Sequence, residues 1–514
     1  MLDNNDIKSN NRSSGKKKIL IVGGVAAGTS AASKARRIDP NADIKIIQEE
    51  PVVSYGACGI PYVIEGVIDD FSELIVRSAE EFEKIYNIGI IENTRAVKID
   101  VDNKQVYAET LSKTDRNNNH NNDISSYKSN SNALMRFDYD SLVIATGARS
   151  VIPNIKGIIV NKELSNTSTY RSSTMVKGLL LLRNYGDGIY MRDWIKKEDS
   201  KSCVIVGAGL IGIEMVQAFR RRGMDVTIIE MADHILPSLL DKEMAEMVKQ
   251  ELEKNGINVI LGEGLQEVVT SSSPHSSLST SSPEVRYLER IRTSKNKEIA
   301  TDLLLLGTGV RPNSEIARAA GIEVGVANAI KVDEHMRTNI PDIFAAGDCA
   351  TARNYIINED VYLPLGTTAN KQGRVAGENA AGGNAEFKGI AGSAITKTFD
   401  LYVGKTGLDK QEASVYGFDP IEKEIKSITR ASYYPDKKSI SIKLVADRES
   451  HMVLGAQIVG GEGVKGRIDL VAFALLMRAT ISDLVNYDAC YVPPASPVWE
   501  PMNIASSQTA KLLV

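Results

Sequence analysis

The sequence predicts an α/β protein with two doubly wound parallel-sheet domains and a C-terminal α+β domain. Three observations carry this. A short apolar strand, a glycine loop, an alanine-rich helix and a second strand follow one another between Lys18 and Ile47. The same order returns between Ser202 and Ile229, where Gly207 stands 184 residues after Gly23. Each such βαβ unit needs a parallel sheet covered by helices. The last third breaks the alternation, because Ser427–Ala446 reads as paired short strands and Arg467–Leu476 as a helix.

Composition limits what such a chain does. The 514 residues are 43% hydrophobic and 25% charged, an ordinary globular mixture for about three domains. With 61 basic and 65 acidic residues the net charge is −4, which lacks the basic excess of a nucleic-acid binder. The apolar run Leu470–Met477 is stopped by Asp469 and Arg478, far short of a membrane span. The N-terminal MLDNNDIKSNNRSSGKKK has no apolar centre and is not a signal peptide. Four cysteines, Cys58, Cys203, Cys349 and Cys490, form no CxxC pair, so neither a disulfide framework nor a metal site is expected. A reducing cytoplasm is the expected location.

In chain order, Lys18–Val22 is the first strand, Thr29–Ile38 the first helix and Ile44–Ile47 the second strand. Pro61 opens a short helix that Gly66 stops. Leu142–Gly147 and Ile343–Asp348 are apolar strands ending in glycine turns. In the second unit Ser202–Val206 is the strand, Ile213–Arg222 the helix and Asp225–Ile229 the next strand. Residues 1–15, 112–133 and 271–283 are too polar to offset their ordering entropy and are expected as surface loops. His120 and His275 lie in them and are not site candidates.

The motif Gly207-Ala-Gly209-Leu210-Ile211-Gly212 joins a strand to a helix. Gly207 permits the turn, Gly209 lets backbone approach a pyrophosphate, and Gly212 lets helix and strand pack closely. The helix start then offers N–H groups to phosphate. Glu230 follows 21 residues after Gly209, where a carboxylate accepts from a ribose diol and repels a 2′-phosphate. NADH is therefore favoured, with His234 and Arg220–Arg222 keeping NADPH open. The first loop, Gly23-Gly24-Val25-Ala26-Ala27-Gly28, carries Val25 in place of the middle glycine but keeps the strand–helix context. Gln48 takes the ribose position, with Glu49 beside it. Ala145-Thr146-Gly147 and Gly347-Asp348 close two strands, and a Gly-Asp end presents an N–H and a carboxylate to a diphosphate or ribityl hydroxyl.

In the order GGVAAG, ATG, GAGLIG, GD, the chain resembles the two-dinucleotide-binding flavoprotein disulfide reductase superfamily from about residue 18 to 508. The resemblance implies two Rossmann-like domains, FAD in the first and NAD(P)H in a second one inserted within it. The implied division is a tail 1–15, an FAD domain 16–155 plus 298–383, an NAD(P)H domain 156–297, and a C-terminal dimerisation domain 384–514. Pro364-Leu-Gly366-Thr367-Thr368-Ala369-Asn370-Lys-Gln-Gly373 is similar to the family's PLGTTANKQG, whose helix start faces the flavin C2 carbonyl. Val97, Arg183, Glu214 and Gly309 complete the implied cofactor-binding set.

Ser54-Tyr-Gly-Ala-Cys58-Gly-Ile-Pro61-Tyr62 resembles the redox segment of the family's single-cysteine branch. Dithiol members carry a second cysteine five positions on, where this chain has Val63. A thiol at a helix start is expected to favour the thiolate. The branch comprises coenzyme A-disulfide reductases, NADH oxidases and NADH peroxidases. The peroxidase histidine is replaced by Ala26, and GIPY points to the coenzyme A-disulfide reductases. Tyr491-Val-Pro-Pro-Ala-Ser-Pro-Val-Trp499 resembles their segment that crosses from one subunit into the other's site, which implies a homodimer. Cys58, Tyr491 and Ser54 are thus the implied catalytic residues. Ser30, Lys34, Arg37, Ser54, Arg77 and Asn370 are candidates to hold coenzyme A, whose phosphates need cations. Ala57 departs from members with asparagine before the cysteine. Cys203, Cys349 and Cys490 read as structural.

The implied activity is FAD-dependent reduction of coenzyme A disulfide, or of polysulfide or sulfur with coenzyme A, by NAD(P)H through a Cys58–S–S–CoA mixed disulfide. An NADH oxidase using a Cys58 sulfenic acid is the enzymatic alternative. A flavin-bound redox sensor without turnover is the non-enzymatic one.

Overall fold

The computed structural model describes residues 15–111, 134–158, 176–272 and 286–513. Of the expected surface loops, residues 1–14, 112–133 and 273–283 lie outside the described residues. Ser271 and Ser272, expected in a loop, end the strand Leu265–Ser272 and pair with Tyr287 and Arg286.

Two five-stranded parallel sheets share one plan. The first runs in the order Ile343–Ala345, Ser141–Ile144, Lys18–Val22, Asp43–Ile47, Ile88–Ile91. The second runs Leu179–Leu180, Leu303–Leu306, Ser202–Val206, Asp225–Glu230, Asn258–Leu261. Strands covered on both faces must be apolar throughout, and KILIV, SLVI, SCVIV and LLLL are buried in nearly every position. An antiparallel meander flanks each sheet: Thr94–Asp100, Gln105–Thr110 and Met135–Asp138 in the first, Leu265–Ser272, Arg286–Thr293 and Glu298–Ala300 in the second.

Leu303–Leu306, expected beyond the boundary at residue 298, pairs with Ser202–Val206 in the second sheet. The second unit therefore runs through Leu306, because four consecutive leucines need two covered faces. The chain leaves and re-enters the first unit side by side, where Ala148–Ser150 pairs antiparallel with Val310–Pro312.

The C-terminal unit is an antiparallel sheet in the order Ala394–Thr398, Leu401–Gly407, Val453–Gly460, Ser439–Asp447, Pro420–Ile428. The helices Val464–Leu476 and Pro501–Ala510 share its core. No helix among the described residues is long and apolar enough to cross a membrane.

One helix pair sets the site. Ala26–Ile38 and Gly366–Ala380 run in the same direction with their backbones in contact: a Cβ on Gly373 would lie 2.2 Å from the Ala27 carbonyl oxygen, and one on Gly377 2.1 Å from that of Ala31. Only glycine permits this approach. It brings both helix starts to the C-terminal edge of the first sheet, where ligands bind in doubly wound folds.

Candidate active site: two glycine loops and an exposed thiol

The first loop is built by its own packing. Gly23 has φ +106°, and a Cβ there would meet the Ala145 carbonyl oxygen at 2.1 Å. One on Gly28 would lie 1.8 Å from the Gly23 carbonyl oxygen. Val25 is accepted because it sits at the helix N-cap with φ −105° and packs on the core. The Ala26–Ile38 helix starts without a side-chain cap, so its first N–H groups remain available to an anion. Leu210–Arg221 and Gly366–Ala380 also start uncapped, whereas Asn184 and Asp241 cap the helices that they precede.

Gln48, expected at the ribose, is buried and spent on the loop: Gly24 N–H donates to its Oε1 at 2.7 Å, and its Nε2 donates to the Val52 carbonyl at 3.1 Å. Glu49 pairs with Arg95 at 2.7 Å. Val97 sits in a bulge of the strand Thr94–Asp100, with its side chain partly exposed. Around the other two turns the chain braces itself. Thr146 Oγ1 donates to the Asn313 carbonyl, Asn313 Nδ2 donates back to Thr146, and Gly147 has φ +67° with open space where a Cβ would point. Gly347 N–H donates to Gln372 Oε1 at 2.9 Å, and Tyr362 donates to the Asp348 carbonyl at 3.0 Å. Asn313, Gln372 and Tyr362 were not foreseen, since their work depends on partners distant in sequence.

In the second loop Gly207 has φ +101°, and a Cβ on Gly212 would lie 2.0 Å from the Gly207 carbonyl oxygen. Gly209 differs: a Cβ there meets nothing within 4 Å, so the chain's own packing does not require glycine. Glu230 takes the Ala208 and Ala232 N–H groups on its two oxygens at 2.7 and 2.8 Å, which holds the carboxylate at the loop rim. His234 is engaged by Asp233 and the Leu240 carbonyl. Arg220–Arg222 lie at the far end of the Leu210–Arg221 helix, so none of these cations faces the ribose position. Gly309 has φ +93° with open space around it.

Cys58 is exposed in a 3-10 turn, Ala57–Gly59, that leads into the helix Ile60–Glu65. Pro61 stands in the first helical turn and Gly66, at φ +91°, ends the helix as expected. Val63, five positions after Cys58, is a buried core residue. The charges of Glu214, Arg183 and Asp348 act on the thiol. Arg183 forms an ion pair with Asp348 and donates to the Ala148 carbonyl at 3.0 Å. Glu214 accepts from Thr396 Oγ1 at 3.0 Å, and burial pushes its carboxyl up. Burial, then the charge of Glu214, push the Cys58 thiol up, against Arg183. The expected gain of thiolate from the helix start is outweighed, because a six-residue helix has little dipole to offer. Cys203 and Cys349 are buried, and burial raises both thiols.

Of the residues expected to hold coenzyme A, Lys34 pairs with Glu378 at 2.8 Å across the helix contact. Ser30 donates to Asn370 Oδ1 at 2.7 Å. Arg77 stacks on Tyr86 at 5.0 Å, and Arg37 is exposed. Ser54 has φ +49°, with its N–H donating to the Gly24 carbonyl and its carbonyl accepting from Val76. Tyr491 shares a 2.9 Å hydrogen bond with Tyr433, and both phenols are exposed. No group of metal-binding side chains occurs among the described residues.

Cys490, expected as structural, is exposed like Cys58. An exposed thiol at the start of a short helix, with uncapped helix starts behind two glycine loops, suits electron transfer between a dinucleotide and sulfur. Residues 17–373 match the model of the pyridine nucleotide-disulphide oxidoreductases, and residues 393–502 match their dimerisation domain. A protein of Methanocaldococcus jannaschii named NADH oxidase is 36% identical over 95% of this chain and 97% of its own length. One of Pyrococcus horikoshii named NAD(P)H coenzyme A polysulfide/persulfide reductase is 33% identical over 93% of this chain and 95% of its own. The crystal structure of reduced Bacillus anthracis CoADR-RHD superposes with a TM-score of 0.84 at 29% identity, over 97% of this chain and 81% of that one.

Proposed function

The chain belongs to the pyridine nucleotide-disulphide oxidoreductase family, and from that premise we propose that it reduces coenzyme A disulfide with NADH through Cys58. It is an NAD(P)H-dependent flavoprotein oxidoreductase. The observation that carries the reading is the exposed Cys58 in the turn before the Ile60–Glu65 helix, with buried Val63 where a second cysteine would stand. A thiol without a local partner takes its partner from a small molecule.

The first loop suits FAD: the uncapped start at Ala26 would offer its N–H groups to the diphosphate, and the open directions at Gly147 and Gly366 would leave room for the cofactor. The second suits NADH, with Gly209 clear for the pyrophosphate and Glu230 for the ribose diol. FAD, when bound, carries the electron pair from NADH to sulfur. Cys58 thiolate attacks one sulfur of the coenzyme A disulfide; the S–S bond breaks, a Cys58–S–S–CoA bond forms, and one coenzyme A thiolate leaves and takes a proton. Two electrons from NADH then cleave the mixed disulfide, release the second thiolate and restore Cys58. The sum is NADH, H+ and one disulfide giving NAD+ and two thiols. Arg183 is the cation that favours Cys58 as thiolate, and Glu214 the carboxylate that opposes it.

Coenzyme A as substrate is supported by the names of the Pyrococcus and Bacillus proteins and by the exposed Arg37 and Arg77. In the assembled homodimer Tyr491 would reach the other subunit's Cys58. Support comes from the dimerisation domain and from the exposed apolar Trp499, Val498, Tyr433, Phe473 and Met477 of the C-terminal unit. The cytoplasm is where such chemistry keeps its thiols reduced. The test is NADH consumption under anaerobic conditions with and without coenzyme A disulfide. Disulfide-dependent turnover supports the reading. Turnover only in air overturns it in favour of dioxygen reduction, the activity named for the Methanocaldococcus protein.

A further inference from the structure

Arg220–Arg222 were read from the sequence as a possible 2′-phosphate signal, and their position calls for another role. Arg222 Nε donates to the Ile64 carbonyl at 2.5 Å, and its NH2 group reaches the Val63 carbonyl at 3.4 Å. Both carbonyls lie in the last turn of the helix that follows Cys58, where a cation is favourable; the Val63 carbonyl also takes the Gly66 N–H at 3.2 Å. Arg221 pairs with Glu65 at 2.6 Å, and the Glu65 side chain is only 3% exposed. Gln217 Nε2 donates to the same carboxylate at 2.8 Å. Gln217 Oε1 accepts the N–H of Phe399, in the turn between Ala394–Thr398 and Leu401–Gly407. One buried amide thus joins the thiol helix, the second nucleotide unit and the C-terminal unit.

The helix that supplies these groups begins at the Gly207–Gly212 loop and spans 12 residues, about 18 Å. The thiol helix has six residues and cannot persist alone. Sliding one against the other would leave the buried Glu65 carboxylate unpaired, which is costly. The two helices therefore move together or not at all. Glu214, on the same face one turn before Gln217, moves with them.

We propose that the Leu210–Arg221 helix is a lever through which nucleotide binding at the Gly207–Gly212 loop sets the placement of Cys58, with Gln217, Arg221 and Arg222 as its positioning residues. This rests on the reading that the loop binds NADH and that Cys58 is the redox thiol. The probe is iodoacetamide, with the FAD-loaded full-length protein treated with a small thiol to free Cys58 and then desalted anaerobically, so that the flavin is oxidised and NAD+ only binds. The alkylation rate of Cys58 is followed by peptide mass, across pH, with and without saturating NAD+. In the wild type NAD+ changes that rate by at least about fivefold.

Gln217→Glu keeps the shape, removes the donor and sets a like charge against Glu65. It is expected to bring the ratio close to one while NAD+ affinity stays within about threefold. If Gln217→Glu does not accumulate, Arg222→Lys carries the same test, since it keeps the charge and loses the two-carbonyl fork. An unchanged ratio in the variant, as direct shielding of the thiol by NAD+ would give, overturns the lever, and so does a wild type without a response. Coenzyme A disulfide is absent from the assay. A protein that fails to reduce it but shows the response refutes the substrate and keeps the lever; one that reduces it without the response does the reverse.

Discussion

Gly209 and Gly212 sit three residues apart in one loop, and the structure assigns them opposite reasons for being glycine. Gly209 has φ −79° and ψ −171°, which any residue adopts, and an added Cβ meets nothing within 4 Å. Gly209→Ala therefore fits the chain. Lower entropy of the unfolded state stabilises it by about 0.4–1 kcal/mol, a rise in Tm of about 1–2 °C. The same methyl enters the space through which backbone would approach a pyrophosphate. Overpacking of that kind costs about 1–3 kcal/mol, so the Kd for NADH rises about 5- to 150-fold. Gly212→Ala puts its methyl 2.0 Å from the Gly207 carbonyl oxygen, a backbone atom that no rotamer change relieves. It is expected to lower Tm and weaken binding together. Calorimetry of each variant, with NADH titration of the FAD-loaded protein, separates the two. Gly209→Ala binding NADH within about twofold of wild type would refute the assignment of this loop, since a steric cost below 0.5 kcal/mol means nothing approaches there.

Cys58→Ser is expected to abolish NADH oxidation by coenzyme A disulfide, a loss of about 1000-fold or more, while NADH-dependent reduction of an artificial one-electron acceptor continues. Glu50 is half-buried against Tyr55, which donates to it at 2.7 Å, and desolvation pushes its carboxyl up to about 7 from 4.5. The folded state holds that proton more tightly than the unfolded one, so stability falls as pH rises from 4.5 through 7, by about 3 kcal/mol. Glu50→Gln should remove that slope in denaturant titrations run across pH; an unchanged slope would refute the burial argument. Glu230→Gln removes the charge that opposes a 2′-phosphate and is expected to raise the NADPH-to-NADH ratio of kcat/KM about tenfold. Trp499 is 76% exposed, and Trp499→Glu should shift sedimentation from dimer toward monomer.

The sequence disclosed elements wherever the signal was contiguous. Gly207–Gly212 announced itself because turn, close approach and helix start fall within six residues. The helix bounded by Pro61 and Gly66 and Glu230 at its strand end were legible for the same reason. Of the paired strands expected within Ser427–Ala446, only the second stands there, as Ser439–Asp447; its partner lies earlier, at Pro420–Ile428, because residues 429–438 form the connecting turn. Leu303–Leu306 was assigned to the wrong side of a boundary, since four leucines state burial but not which sheet buries them. Gln48 and Lys34 were read by position alone. Packing gives each a partner that position alone does not disclose: Gln48 braces Gly24, and Lys34 pairs with Glu378, 344 residues away.

By itself the sequence determined the two glycine loops, the three-part fold and a Cys58 with no second cysteine five positions on. Each is written in local spacing, and local backbone geometry enforces it. Tertiary structure alone decided which side chains remain free to act. Asn313 and Gln372 hold the two turns, Arg183 and Glu214 set opposing charges at Cys58, and Arg222 grips the end of its helix. A charged or amide group has many acceptable partners, and only the folding of distant segments onto one another selects among them.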